Sequence, residues 1–409
     1  MIHTKPIKSN LLDRDILPAF ILTMNAFSWY FPLYIFFANT LDKLGIVYED
    51  LLTIFGIHYM GVLIFAIVGA TISGKTISGN ILLSIWIFLG TISSALLVFL
   101  ESNSLLNVYL VSFLIGTALG FGFPSCLAYF ASSVNLESRG KVGGISFFTA
   151  HLGMFLIGFL TSILSFVETV IVLTVWRASG LVAFQIVEKR KSRIKKETVD
   201  TGYKLIVSER SFILYMVPWI MFCLVNFFEY PLQHYRWGVE ASTAVSTAEF
   251  GIASIAALIG GYFADIVGRK RLVILGYILL GIGYAVLSIF PTNQISIGIY
   301  TVFDGVAWGL FALIFFMLIW GDLAGNRGKD KYYLLGTLPF LLSSYISVIA
   351  APFAKLIDIS TSFSLASFFL FLAVVPLMYA PETLPEKKIR ERELKQYIEK
   401  AKKIKEKRA

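Results

Sequence analysis

Apolar residues along the chain gather into runs of about twenty, long enough to cross a hydrocarbon core of about 30 Å as α-helix. Twelve such windows are present, at 17–37, 51–72, 81–100, 107–130, 142–163 and 169–186, then 212–230, 244–263, 272–290, 295–320, 333–353 and 363–379. Strands of an outer-membrane barrel would instead show ten-residue alternation. The pattern predicts an all-α polytopic membrane protein of twelve transmembrane helices in two six-helix halves. The halves are expected at 1–187 and 211–380, joined by a polar linker at 188–210 and followed by a basic tail at 381–409. The apolar run after residue 16 is full length with no small-residue cleavage site, so it reads as a retained first span.

Composition agrees, with 57% hydrophobic and 15% charged residues and a mean hydropathy of +0.76, which a water-soluble core cannot absorb. The charges carry topological information. Of 35 basic residues, 31 fall before the first span, after the even-numbered spans or beyond the twelfth. Positively charged short loops stay on the cytoplasmic side, so both termini are expected there, in a multi-pass protein of the plasma membrane. The same count explains the net charge of +9 as topology and attraction to anionic membrane lipid, with no role for nucleic acid. Cys126 and Cys223 lie within apolar runs and read as packing residues, leaving no disulfide framework or metal site.

The two sets of six repeat one another. ESRGKVGG follows the fourth span, with Arg139, Gly140 and Lys141, and GNRGKDK follows the tenth, with Arg327, Gly328 and Lys329, 188 residues later. Gly116 and Gly120 recur as Gly305 and Gly309, a small-x-x-x-small spacing that lets helices approach closely.

After the eighth span the sequence GGYFADIVGRKRL carries Gly261, Asp265, Gly268, Arg269 and Lys270. This matches G-x-x-x-D-x-x-G-R-K/R without a gap and resembles the loop motif of the major facilitator superfamily. The resemblance implies alternating access around a solute site near the midplane, with this loop, together with Arg139 and Arg327, acting in a gate. The corresponding first-half loop, GATISGKT, has Ser73 where the acid is expected. That stretch also fits the nucleotide-loop pattern G-x-x-x-x-G-K-S/T, but it ends a membrane span and has no strand before it, so no nucleotide or other cofactor is expected. PETLPEKK after the last span is similar to the tail of sugar-porter and organic-ion branches, while the companion signature after the sixth span is absent.

Charges at membrane depth are costly, about 2.5–3.5 kcal/mol on insertion scales, and mark function by default. Asp304 lies nine residues into the tenth span, about 14 Å deep by helix rise, and is the first candidate for proton coupling. Glu229 and Glu249 lie nearer the external ends of the seventh and eighth spans, where pairing with Arg236 or solvation competes with coupling. His151 and His58 are candidates because histidine changes charge near neutral pH. Arg177 in the sixth span reads as a bridge between helices. Asn25, Trp29, Tyr30, Asn226, Tyr230 and Trp308 stand on the helices that line the cavity in the family and are the candidate solute contacts. The tail from 386 to 408 has the spacing of an amphipathic surface helix.

The expected function is secondary active transport of a small organic solute, a sugar or organic ion, by a monomer using proton symport. Uniport and drug or metabolite efflux by antiport are the alternatives on the same fold, and a non-transporting sensor is the alternative of another class. No serine, histidine and acid cluster at one membrane face, so enzymatic hydrolysis is not expected.

Overall fold

Inside a bilayer a spanning segment has to satisfy its backbone N–H and C=O groups within itself, so uninterrupted apolar runs of this length become helices. The computed structural model describes residues 16–73, 78–102, 104–189 and 201–384. Among them are twelve helices long and apolar enough to cross a membrane. The first six are α1 Leu17–Lys43, α2 Tyr48–Ile72, α3 Gly79–Glu101, α4 Leu105–Ser133, α5 Arg139–Ile163 and α6 Phe166–Glu188. The second six are α7 Arg210–Trp237, α8 Val239–Val267, α9 Arg269–Ile289, α10 Gln294–Ala324, α11 Lys329–Phe353 and α12 Ile359–Tyr379. A short helix, Tyr203–Ser208, precedes α7.

Each apolar window lies within one of these helices to within a residue, and polar residues add the outer turns. α7, for example, continues through Gln233, His234 and Arg236 to Trp237. Local chemistry sets several ends. Asn293 accepts from Ile295 N at 2.9 Å to open α10, and Asp358 accepts from Thr361 N at 2.9 Å to open α12, the usual side-chain remedy for unpaired N-terminal amides. Gly268, at φ +99°, lets α8 turn into α9 in one residue, a backbone conformation that costs other residues more.

Besides α11, which ends in a 3-10 turn at Ala351–Phe353, three of the described helices depart from regular α geometry. The last turns of α3 tighten into a 3-10 helix over Leu96–Ser102. α4 breaks between Gly120 and Phe123, with Pro124 just inside its second segment. α10 widens into a π-helical stretch over Ala312–Leu318, all of it buried, and such stretches mark functional regions more often than chance.

The repeat seen in the sequence is a packing repeat. A Cβ on Gly120 would meet Ala66 N of α2 at 3.0 Å, and one on Gly309 would meet the Ala253 carbonyl carbon of α8 at 3.0 Å. Glycine thus seats α4 on α2 in the first half and α10 on α8 in the second. Between the halves, a Cβ on Gly144 of α5 would meet Ala257 O of α8 at 2.6 Å, and Tyr345 of α11 donates to Leu52 O of α2 at 2.8 Å. Exposed apolar side chains such as Phe159, Val175 and Phe368 clothe the outside, the surface that hydrocarbon solvates. The N-terminal cations, Lys75, residues 190–200 of the linker and the tail beyond Leu384 lie outside the described residues.

Candidate functional site

A cavity of about 350 Å³ lies between the halves. Phe31, His151, Met154 and Phe250 also line a neighbouring, wider vestibule of about 790 Å³. The vestibule reaches Lys43, Glu101 and Leu164, at the end of the molecule opposite the basic loops.

The first-half wall is a tyrosine and histidine network. His58 Nδ1 lies 3.2 Å from Ser112 O, and a carbonyl only accepts, so Nδ1 carries the hydrogen and Nε2 receives the Tyr30 hydroxyl at 3.0 Å. Tyr34 and Tyr59 share a hydrogen bond of 2.9 Å. His151 also lines the cavity, its Nδ1 tied to Phe147 O at 2.9 Å.

The second-half wall is acidic. Glu249 of α8 and Asp304 of α10 bring their carboxyl groups close together, with the Tyr300 hydroxyl beside Asp304. Gln233 Nε2 donates to the Tyr300 hydroxyl at 3.0 Å and the Tyr284 hydroxyl at 3.3 Å, which fixes both rings behind the pair. Glu249 Oε1 is buried with no hydrogen-bond partner. Trp308 donates to Asn226 Oδ1 at 3.1 Å, and Tyr230 completes this wall. No Lys or Arg lines the cavity among the described residues.

Below the cavity, towards the basic end, aromatic rings from both halves meet. Phe316 of α10 lies 5.9 Å from Phe27 of α1 and 6.2 Å from Phe123 of α4, both near perpendicular, a favourable geometry for ring quadrupoles. Beneath this floor the basic end is tied shut. Asp265 accepts from Gly140 N at 2.9 Å and Lys141 N at 2.8 Å, so an acid of α8 caps the N-terminus of α5 in the other half. Arg269, fully buried, donates to Leu136 O at 2.7 Å and to Asp265 at 3.2 Å. Asp322, at the end of α10, sits between two arginines, paired with Arg139 and 3.2 Å from Arg269 Nε. Glu382 then accepts from Arg269 N at 2.9 Å and Lys270 N at 3.1 Å, so the P-E-T tail caps α9.

Of the candidates read from the sequence, Asp304, His151, Tyr30, Asn226, Tyr230 and Trp308 line the cavity. Asn25 and Trp29 do not, and this corrects the expectation. They lie one turn apart on the face of α1 turned away from the cavity, while Phe27, Tyr30, Phe31 and Tyr34 face it. Asn25 accepts from Arg177 at 2.8 Å and donates to Trp176 O at 2.9 Å, and Trp29 donates to Ser94 Oγ at 2.7 Å. Arg177 is the interhelical bridge that was expected.

Glu229 is buried behind the wall, accepting from Ser362 of α12 at 2.6 Å, so pairing with Arg236 and solvation are both corrected. Gly261, Asp265, Gly268, Arg269, Lys270 and Arg139 all belong to the closed basic end. Arg327 does not tie the halves together as its repeat partner does; it pairs with Glu209 ahead of α7 and lies 4.8 Å over the Tyr332 ring, both in its own half.

Sequence reasoning missed Asp322, Glu382, Gln233, Tyr284 and Tyr300. Asp322 carried a signal, an acid two residues beyond the tenth apolar run, and Glu382 stood within the quoted PETLPEKK stretch; the others are ordinary polar residues that acquire a role through their neighbours.

No family model matches the sequence, and no curated protein does. Solved structures do match in fold. The E. coli fucose:proton symporter FucP aligns with a TM-score of 0.70 at 14% identity over 90% of this chain and 99% of its own. A major facilitator superfamily transporter, FucP in the outward conformation, aligns at 0.68 and 14% identity over 90% and 100% of the two chains. The proton:xylose symporter XylE, bound to 6-bromo-6-deoxy-D-glucose, aligns at 0.67 and 13% identity over 90% and 96%. Over nine-tenths of its length this chain has the fold of the major facilitator superfamily.

Proposed function

We propose that this protein is a secondary active transporter, moving a small organic solute across a membrane by alternating access and coupling that movement to protons by symport. The observation that carries the reading is the Glu249–Asp304 pair on the wall of a cavity closed towards the basic end and bordered by a vestibule at the other. Two buried carboxyl groups brought this close favour holding a proton between them, because two carboxylates repel and have no donor to share. A proton held beside a solute cavity can be loaded from one side and released to the other once access reverses. Gln233, Tyr284 and Tyr300 keep the pair oriented through that change. The two named structural neighbours are proton symporters of sugars, which agrees with this coupling.

The basic end is assigned to the cytoplasm by the distribution of lysine and arginine, which makes the closed end the inner gate and both termini cytoplasmic. The halves meet within one chain around a complete cavity, so the monomer is the proposed working unit, held in the plasma membrane with its basic face on anionic lipid.

The test is solute uptake into proteoliposomes under an imposed pH gradient, with a panel of sugars, organic acids and organic cations, for the parent, Asp304→Asn and Glu249→Gln. Uptake that follows the gradient and is lost in both variants supports the reading. Gradient-independent exchange that survives both substitutions would overturn proton coupling at this pair.

A further inference from the structure

We infer that the cargo is an organic monocation with an aromatic or apolar body, seating its positive end against Glu249. The inference rests on the transport reading above and goes further by naming the class of solute. The cavity's charge is one-sided. A carboxyl pair that shares one proton keeps one negative charge, and no Lys or Arg among the described residues lines the cavity to offset it. The groups around the pair are neutral or acidic. Tyr230 of α7 lies near Glu249, Tyr300 lies near Asp304, Tyr284 stands behind, and Glu229 is near Tyr284. His151 faces the cavity from α5 with its Nδ1 hydrogen already given to Phe147 O.

The second observation is an orphaned acceptor. No N–H, hydroxyl or cationic donor among the described residues reaches the buried Oε1 of Glu249, and a buried carboxylate oxygen without one is costly. An ammonium group supplies the charge and the donor together. The rest of the wall suits the body of such a solute. Tyr30, Phe31, Tyr230, Phe250 and Trp308 line the cavity from four helices, and aromatic faces attract a desolvated cation as well as an apolar ring. A neutral polyol would leave the negative charge uncompensated. An organic anion would add to it.

The experiment measures binding to the purified full chain by calorimetry with phenethylammonium, its neutral counterpart 2-phenylethanol, L-fucose and D-xylose. Phenethylammonium is expected to bind at least about tenfold more tightly than 2-phenylethanol, the worth of one charged hydrogen bond. Glu249→Gln is expected to remove that preference while leaving 2-phenylethanol unchanged. Either sugar binding more tightly than phenethylammonium overturns the cargo class, as does a preference that survives Glu249→Gln.

A separate count of protons taken up by the unliganded protein keeps the two levels apart. Loss of one proton site in Asp304→Asn, with no cation binding in the parent, sinks the cargo class and leaves proton coupling standing. No difference in proton count between parent and variant sinks the coupling reading and the cargo class with it.

Discussion

Ser73, just past the end of α2, lies close to the carboxyl group of Asp330 in the first turn of α11. The relationship is the second-half loop contact with its acid moved to the other partner. Asp265 and Ser73 are equivalent in the repeat, 192 residues apart. Asp265 reaches across to cap α5, whereas at the matching place α11 brings its own acid close to Ser73 and to Ser125 of α4. Ser73→Asp alone therefore sets two carboxylates against each other and is expected to open the basic end. Ser73→Asp with Asp330→Ser is expected to close it again, with the acid restored to the loop. Spin labels on Asn135 and Asn326, exposed in the two halves, report the change: a new longer-distance population in the single variant that disappears in the double. Persistence of that population in the double variant would sink the equivalence.

Asp265→Asn tests the other latch. The carboxylate takes two amides from the opposite half and one arginine N–H, and hydrogen bonds to charged groups are worth about 1.5–3 kcal/mol each. Asparagine keeps one acceptor oxygen, so the closed state should weaken by about 1–2 kcal/mol, a factor of about 5–30. The same label pair should show the longer-distance fraction rising accordingly. An unchanged distribution would mean that the arginine and Asp322 contacts alone hold the gate.

The gate also has a steric component. A Cβ on Gly144 would lie 2.6 Å from Ala257 O and 3.2 Å from Gly261 Cα, whereas one on Gly158, in the same helix, meets nothing within 4 Å. Gly144→Val is expected to wedge α5 from α8 and lengthen the Asn135–Asn326 distance. Gly158→Ala, the control, should leave both that distance and the melting temperature unchanged.

Much of this architecture was legible in the chain. Twelve apolar windows became twelve helices because lipid leaves a spanning backbone no alternative. Arg139 and the Asp265 loop lie together at the closed basic end, and both stood out because their motifs are local. What escaped was set by helix rotation and tertiary partners. Asn25 and Trp29 carry the same polar and aromatic chemistry as Tyr30, and the 100° step between successive residues decides which of them faces the cavity. Glu249 looked like a solvated end residue because nothing local brings Asp304 to it; α8 and α10 do so by packing through Gly305 and Gly309. The break in α4 had its glycine and proline in plain view, but the π-helical stretch of α10 contains neither.

Arg177 closes the account of charges at membrane depth, and its surroundings make a sharp prediction. The residue is fully buried, its guanidinium carbon 4.2 Å from the Trp29 ring and 4.4 Å from the Trp86 ring. Nη1 donates to Asn25, while Nε and Nη2 have no hydrogen-bond partner. No salt bridge involving Arg177 is present among the described residues, so the ring faces supply much of its compensation, about 2 kcal/mol or more for a desolvated cation on an aromatic face. Gly90 makes room for it, since a Cβ there would lie 2.7 Å from Nε. The side chain thus acts as a filler between two indoles that carries a costly charge. Removing both charge and volume, as in Arg177→Ala, should leave a void between the rings and cost about 3 kcal/mol, in the range of large-to-small core changes. Arg177→Met keeps most of the volume and removes the charge, and replacing buried charges by packed apolar groups is often neutral or stabilising. Its melting temperature in detergent should therefore equal or exceed the parent's, with Arg177→Ala well below both. If methionine destabilises as much as alanine, the charge itself is needed at this position, and a counter-charge must reach it in another conformation of the protein.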